Sequence, residues 1–273
     1  MIMKARINLG KLLFNFIFVI IMFFLVFPII ITFIVSFNTS GFNLPVEGFT
    51  FKWFKTALSY KEFLSGMKVS LILGLIASSI AALMGVMVSI ALSRYTFRGK
   101  DFINMFFMSP LLIPSAMIGL ALYTFFVLLG KGEGIINIII AHVVLVMPYS
   151  IRVILASFQN FDRSLEEAAL NVGASYFQTF ISITLPIVKT GIIAGMMMCF
   201  IISWNNFALT IFLAPPDWVP LPMRLYSYIK YEYNPSGAAL VSCLIIVSGL
   251  LIYLLDRLVG LSAIMGIKSE GRN

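Results

Sequence analysis

Residues 164–186 read SLEEAALNVGASYFQTFISITLP, a polar and amphipathic island between two long apolar segments. Ser164 followed three residues later by Glu167 has the form of a capping box, in which hydroxyl and carboxylate each satisfy a backbone donor at a helix start. Glu166 and Glu167 also stand where the helix dipole favours negative charge. Ala168, Ala169 and Leu170 continue a strong helix, and Gly173 falls where a left-handed residue would end it. Ser175 and Gln178 repeat the box at the head of a second short helix. With Leu165, Ala168 and Ala169 on one side of the first helix, the pair forms a knob whose small residues let another protein approach its backbone closely.

The segments around this island set the class. At 60% hydrophobic and 11% charged residues, with a mean hydropathy of +1.02, the chain reads as an integral membrane protein and not a soluble one. Its formal charge of +8 points, in such a protein, to topology and anionic headgroups, and no basic cluster is dense enough for nucleic acid. Cys199 and Cys243 lie in apolar runs with no Cys or His at a metal-ligand spacing, so no metal site is expected.

Residues 12–35 carry no charge, and at helical rise they reach about 36 Å, enough to cross a roughly 30 Å hydrocarbon core with tilt. The run is too long for a secretory signal and no small-residue cleavage site follows, so it reads as a retained first span, with Pro28 expected to kink it. Residues 36–67 read as a mixed loop, with amphipathic pieces such as 52–64 at the membrane surface. The second span, 69–93, holds Gly74, Ala77, Ser78, Ala81, Ala82, Gly85 and Ser89, and this small-residue face is expected at the centre of the bundle. A basic turn, 94–101, leads to a third span at 102–129, which Pro110 and Pro114 should bend. GKGEG at 130–134 lacks the spacing of a phosphate-binding loop and reads as a turn. The remaining spans are expected at 135–155, 187–213 and 238–255.

Six spans place both termini on one side of the membrane. That side carries Lys4, Arg6, Lys11, Arg94, Arg98, Lys100, Arg152, Arg163, Lys189, Arg257, Lys268 and Arg272, which is 12 of the 19 basic residues, against 7 on the other. The positive-inside rule therefore predicts cytoplasmic termini and a cytoplasmic 164–186 loop.

By spacing, the island is Glu167-Ala168-Ala169, three residues, Gly173, nine residues, Ile183, one residue, then Leu185-Pro186. This resembles the EAA signature of permease subunits in binding-protein-dependent ABC importers. The resemblance implies an all-α, MetI-like type I bundle of six transmembrane helices in the inner membrane, with a cytoplasmic coupling helix that fits a cleft on an ATPase subunit. It implies as partners two ATPase subunits, a homologous permease subunit and a soluble substrate-binding protein; a heterodimer of permeases is expected, and a homodimer stays open. ATP would be bound by the ATPases, leaving no cofactor and no catalytic residue in this chain. ATPase coupling would fall to Glu166, Glu167, Ala168, Ala169, Gly173, Ile183, Leu185 and Pro186. The expected division is a first helix with external loop at 1–65, a transmembrane domain at 66–257 with its coupling loop at 162–186, and a cytoplasmic tail at 258–273.

Leu221-Pro222, Tyr226-Ser227, Lys230, Pro235 and Ala239-Leu240 are similar to the segment before the last helix in the second permease of spermidine and putrescine importers. One departure stands out. That branch tends to carry an acidic pair after the serine of the fifth helix, where this chain has Ser203-Trp204-Asn205-Asn206. Two carboxylates attract an ammonium group, whereas two amides donate to anions or accept from cations. A polyamine and another small polar solute, such as a phosphonate or an amino-acid derivative, both remain open.

Ser203, Trp204, Asn205 and Asn206 are the candidate lining of the translocation path, since amides at membrane depth need a cavity or another helix; interhelical hydrogen bonding is the equal alternative. His142, the single histidine, has a core or a path role. Met196, Met197 and Met198 face three directions on a helix and read as packing. No carboxylate lies well inside a span, which argues against an autonomous channel or proton-coupled carrier, and no paired His, Asp or Cys supports a membrane enzyme.

Overall fold

The computed structural model describes residues 9–42, 46–232 and 234–259. Residues 260–273 of the expected tail, and Lys4, Arg6, Lys268 and Arg272 of the charge count, lie outside the described residues. Among the described residues the chain is helical, with a single isolated bridge between Asn38 and Phe49. Five helices of the described residues are long and apolar enough to cross a membrane, and a sixth span is completed if one bent pair counts as one.

The fold divides into two compact units, residues 1–61 with 227–247 and residues 62–226 with 248–273. In the first, α1 (Leu9–Phe37) runs unbroken through Pro28. The apolar side chains that it exposes, such as Phe14, Phe18 and Phe24, suit lipid. Asn38 then closes a turn: its Oδ1 accepts the Glu47 N–H at 3.2 Å, its Nδ2 donates to the Gly41 carbonyl at 3.1 Å, and its own carbonyl accepts Trp53 Nε1–H at 2.8 Å. Phe37 stacks on Phe49 at 4.9 Å and packs beside Phe54 at the start of α2 (Lys52–Leu58).

The 36–67 loop is shorter than expected. Helix α3 (Lys61–Arg94) begins eight residues before the expected second span, because 61–68 contains no proline and its one glycine, Gly66, is buried in close approach to Leu221, so the helix continues beyond its apolar part. All seven small residues read from the sequence are buried along α3. The centre of the bundle is nevertheless α6 (Ile135–Gln159), 61% of whose apolar window is buried against 39% for α3. Small residues mark close approach, not centrality. Gly74 of α3 meets the Phe200 ring, and a Cβ there would lie 2.9 Å from it.

The third span is not one bent helix. It is α4 (Lys100–Met108), a 3-10 turn at Ser109–Leu112, and α5 (Ser115–Leu128), with a 107° bend. Pro110 and Pro114 remove two amide donors, and Ile113, held extended before Pro114, cannot continue a helix. The turn after α5 forms as read, with Gly130 at φ +70° and Asn137 Nδ2 donating to the Lys131 and Gly132 carbonyls.

The fifth span also departs from expectation. α7 (Ser164–Asn171), α8 (Tyr176–Thr179) and a π-turn at Phe180–Thr184 lead into α9 (Leu185–Trp204), which stops nine residues short of residue 213. The helix resumes as α10 (Thr210–Leu213), and the chain continues through α11 (Leu221–Glu232) and α12 (Ser236–Val259). The polar run Asn205-Asn206 is the cause of the break: the Asn206 Oδ1 accepts the Leu209 N–H at 2.9 Å, an alternative to the helical ladder.

Candidate functional site

The 164–186 island forms the expected pair of short helices, but α7 starts differently. Ser164 is already helical, Arg163 occupies the cap position, and no side-chain cap bond forms there. The expected Ser164–Glu167 box is replaced by Asp162, whose Oδ1 accepts the Ser164 N–H at 3.0 Å. That backbone donor holds the Asp162 carboxyl below the usual carboxylate range. A charged acceptor beside a helix N-terminus is the stronger cap, which accounts for the exchange.

The end of α7 is as read. Gly173 has φ +92°, with Ala174 N–H donating to Ala169 carbonyl at 3.1 Å and Gly173 N–H to Leu170 carbonyl at 3.0 Å, both bonds of a Schellman motif. Nothing lies within 4 Å of a Cβ placed at Gly173, so the left-handed backbone alone requires glycine. The second box forms in full: Gln178 N–H donates to Ser175 Oγ at 3.3 Å, and Ser175 N–H to Gln178 Oε1 at 2.9 Å.

Glu167, Ala168, Gly173 and Pro186 are exposed, and Ala169, Ile183 and Leu185 half-buried. Beside them Val172, Tyr176 and Phe177 are 85%, 82% and 74% exposed, an apolar tip that the sequence reading did not single out. Glu166 behaves differently from Glu167. Its Oε1 pairs with the guanidinium of Arg94, the last residue of α3, and accepts the hydroxyl proton of Thr184. Arg163 in turn donates to the Ser93 carbonyl. Arg94 stands 72 positions from Glu166, and its only signal in the sequence is its charge.

The membrane-depth candidates do not act as one cluster. His142, fully buried on α6, places Nδ1 2.8 Å from Ser203 Oγ and Nε2 3.2 Å from Thr210 Oγ1. Thr210 spends its proton on the Asn206 carbonyl at 2.8 Å, so it accepts from Nε2–H, and Nδ1 pairs with the Ser203 hydroxyl. His142 is thus a brace across the α9 break, joining it to α6. Trp204 is buried, with Nε1–H donating to Ser248 Oγ at 3.2 Å. Of the four-residue run, Asn205 alone is exposed, beside a small cleft lined with Trp204, Ser248 and Leu251. Its Nδ2 donates to the Ile201 carbonyl at 3.1 Å, leaving Oδ1 without a partner among the described residues.

The family model for the binding-protein-dependent transport system inner membrane component matches residues 81–263. The spermidine/putrescine transport system permease protein PotC of Escherichia coli (strain K12) is 30% identical over 225 residues, 82% of this chain and 85% of the relative. The putative 2-aminoethylphosphonate transport system permease protein PhnV of Salmonella paratyphi A is 28% identical over 244 residues, 88% of this chain and 90% of the relative. A solved bacterial ABC transporter involved in the import of the acidic polysaccharide alginate matches the fold with a TM-score of 0.69, over 99% of this chain and 100% of that one, at 16% identity. The chain therefore belongs to the family of binding-protein-dependent transport system inner membrane components, as a multi-pass, MetI-like ABC permease that is not an enzyme and binds no cofactor of its own.

Proposed function

We propose that this chain, paired with a homologous permease subunit, forms the path of an ATP-driven importer for a small polar solute of polyamine type, and that the 164–186 loop couples it to two ATPase subunits. The carrying observation is the knob: Val172, Tyr176 and Phe177 stand exposed on a turn fixed by a Schellman motif and a capping box. A rigid apolar tip on a loop outside the apolar spans is the surface that a protein partner covers. Glu167, Ala168 and Gly173 present or shape that surface, and Ile183, Leu185 and Pro186 join it to α9. Both termini and the loop face the cytoplasm in this reading, which the excess of Lys and Arg on that side supports. A soluble binding protein delivers the solute from the other side.

The likeness to PotC supports a polyamine. Asn205 favours a second reading, since an exposed amide without a carboxylate also suits solutes that carry an anion, and PhnV is named for an aminophosphonate. Co-purification of the chain from its native membrane, with identification of bound proteins and of small molecules on any binding protein, tests both levels. An ATPase, a second permease and a polyamine-loaded binding protein are expected. The same assembly loaded with an aminophosphonate selects the second reading, and recovery with no ATPase overturns the importer in favour of an autonomous channel or carrier.

A further inference from the structure

We propose that Glu166, through Arg94 and Thr184, is the positioning residue that carries movement of the docked knob into the membrane helices, a role separate from that of the exposed Glu167. The inference rests on the coupling role given above to the 164–186 loop. No apolar side chain of α7 is fully buried, Ala169 and Leu170 reaching only half-burial. The most specific connection of α7 to the membrane helices is polar. The Glu166 and Arg94 side chains are 12% and 24% exposed, which places their ion pair where solvent screens it less than at an open surface.

The single carboxylate joins several elements. Arg94 ends α3, and its guanidinium also lies 5.8 Å from the Phe158 ring centroid on α6. Thr184, fully buried, ends the π-turn that leads into α9. Arg163 adds a second strap, to the α3 carbonyl at Ser93. A π-turn has wider, weaker hydrogen bonding than the α-helix it interrupts, and such turns concentrate at functional positions. Displacing α7 therefore pulls on the ends of α3 and α9 together, and the π-turn is where α9 can yield.

Hydrogen exchange on the assembled complex, with and without ATP and vanadate, separates a transmitting link from a static brace. In the unaltered complex, ATP is expected to change exchange in α7, at residues 89–94 and at residues 180–184. Glu166→Gln is expected to keep the change in α7 and reduce the other two about tenfold, within the range of measured couplings between sites. The exchange Arg94→Glu with Glu166→Arg restores them, since the Thr184 hydroxyl can accept as well as donate. Should Glu166→Gln fail to assemble, Thr184→Val, which keeps the ion pair, is expected to lose the change at 180–184 alone. An unaltered response in Glu166→Gln or Thr184→Val, or a charge exchange that only adds two losses, overturns the proposal. A wild-type complex that holds no ATPase overturns the coupling reading and this link with it.

Discussion

The knob at 164–186 and the helix break at Asn205 both interrupt apolar sequence with polar residues, and they are built in opposite ways. In the knob the bonds that shape the turns are local: Asp162 to Ser164, Ser175 to Gln178, and the Gly173 and Ala174 amides to the preceding turn. At the break the braces are remote, with His142 reaching partners 61 and 68 positions away. Local devices stiffen the knob as a body, and the Glu166–Arg94 pair with the Arg163 strap ties that body to the end of α3. A remote brace fixes how helices sit against each other and leaves little to face a solute. The knob suits a surface that must move as a body, and the break suits a hinge held in register.

The largest effect should come from breaking the register of the break itself. At Gly119 on α5 an added Cβ would lie 2.7 Å from the Leu209 carbonyl oxygen and 3.0 Å from its Cα, and backbone cannot step aside as a side chain can. Gly119→Val should destabilise the bundle by about 3 kcal/mol, the upper range for overpacking, visible as a lower melting temperature of the purified complex. On the knob, Gly173→Val should introduce about 2 kcal/mol of strain at the left-handed position. ATPase recovery should fall while the melting temperature of the permease is unchanged, and Gly173→Asn should be largely tolerated. Unchanged transport and ATPase coupling in Gly173→Val would count against the docking geometry.

Smaller effects sharpen the same contrast. His142→Leu removes two interhelical bonds, together worth about 1 kcal/mol in a membrane setting, and should lower the melting temperature slightly while reducing transport more than ATPase binding. The caps of α7 give the smallest effect and one with a pH signature. The lowered carboxyl of Asp162 contributes stability in full above the ordinary carboxylate range and loses it as pH falls through its folded value. Asp162→Ala should therefore increase exchange at the start of α7 at neutral pH, and the difference from wild type should vanish in acid. Ser164→Ala should have a smaller effect than Asp162→Ala, because its hydroxyl only adds to the hold of its backbone N–H on the Asp162 carboxyl.

The contrast also explains what could be read from the sequence. The order of the spans, though not their ends, follows from apolar length, and the Gly173 stop and the Ser175 box follow from short spacings, so these stood in the sequence. The start of α7 did not, because two acceptors, Asp162 and Ser164, compete two positions apart and only geometry decides. The Asn205-Asn206 pair was legible as polar residues at depth but not as a helix stop, which depends on Asn206 finding the Leu209 amide. Arg94 with Glu166, and His142 with Thr210, depend on how distant helices cross. The seven small residues of α3 foretold close packing, while the central place of α6 required its own neighbours.

The most direct test of the knob as a docking surface is co-purification of the ATPase with wild-type chain and with Tyr176→Asp/Phe177→Asp. Both side chains are exposed, so the bundle should fold and keep its partner permease in either case. The ATPase should be recovered with wild type and lost with the variant. Equal recovery of the ATPase from both would contradict the docking role of the 164–186 loop.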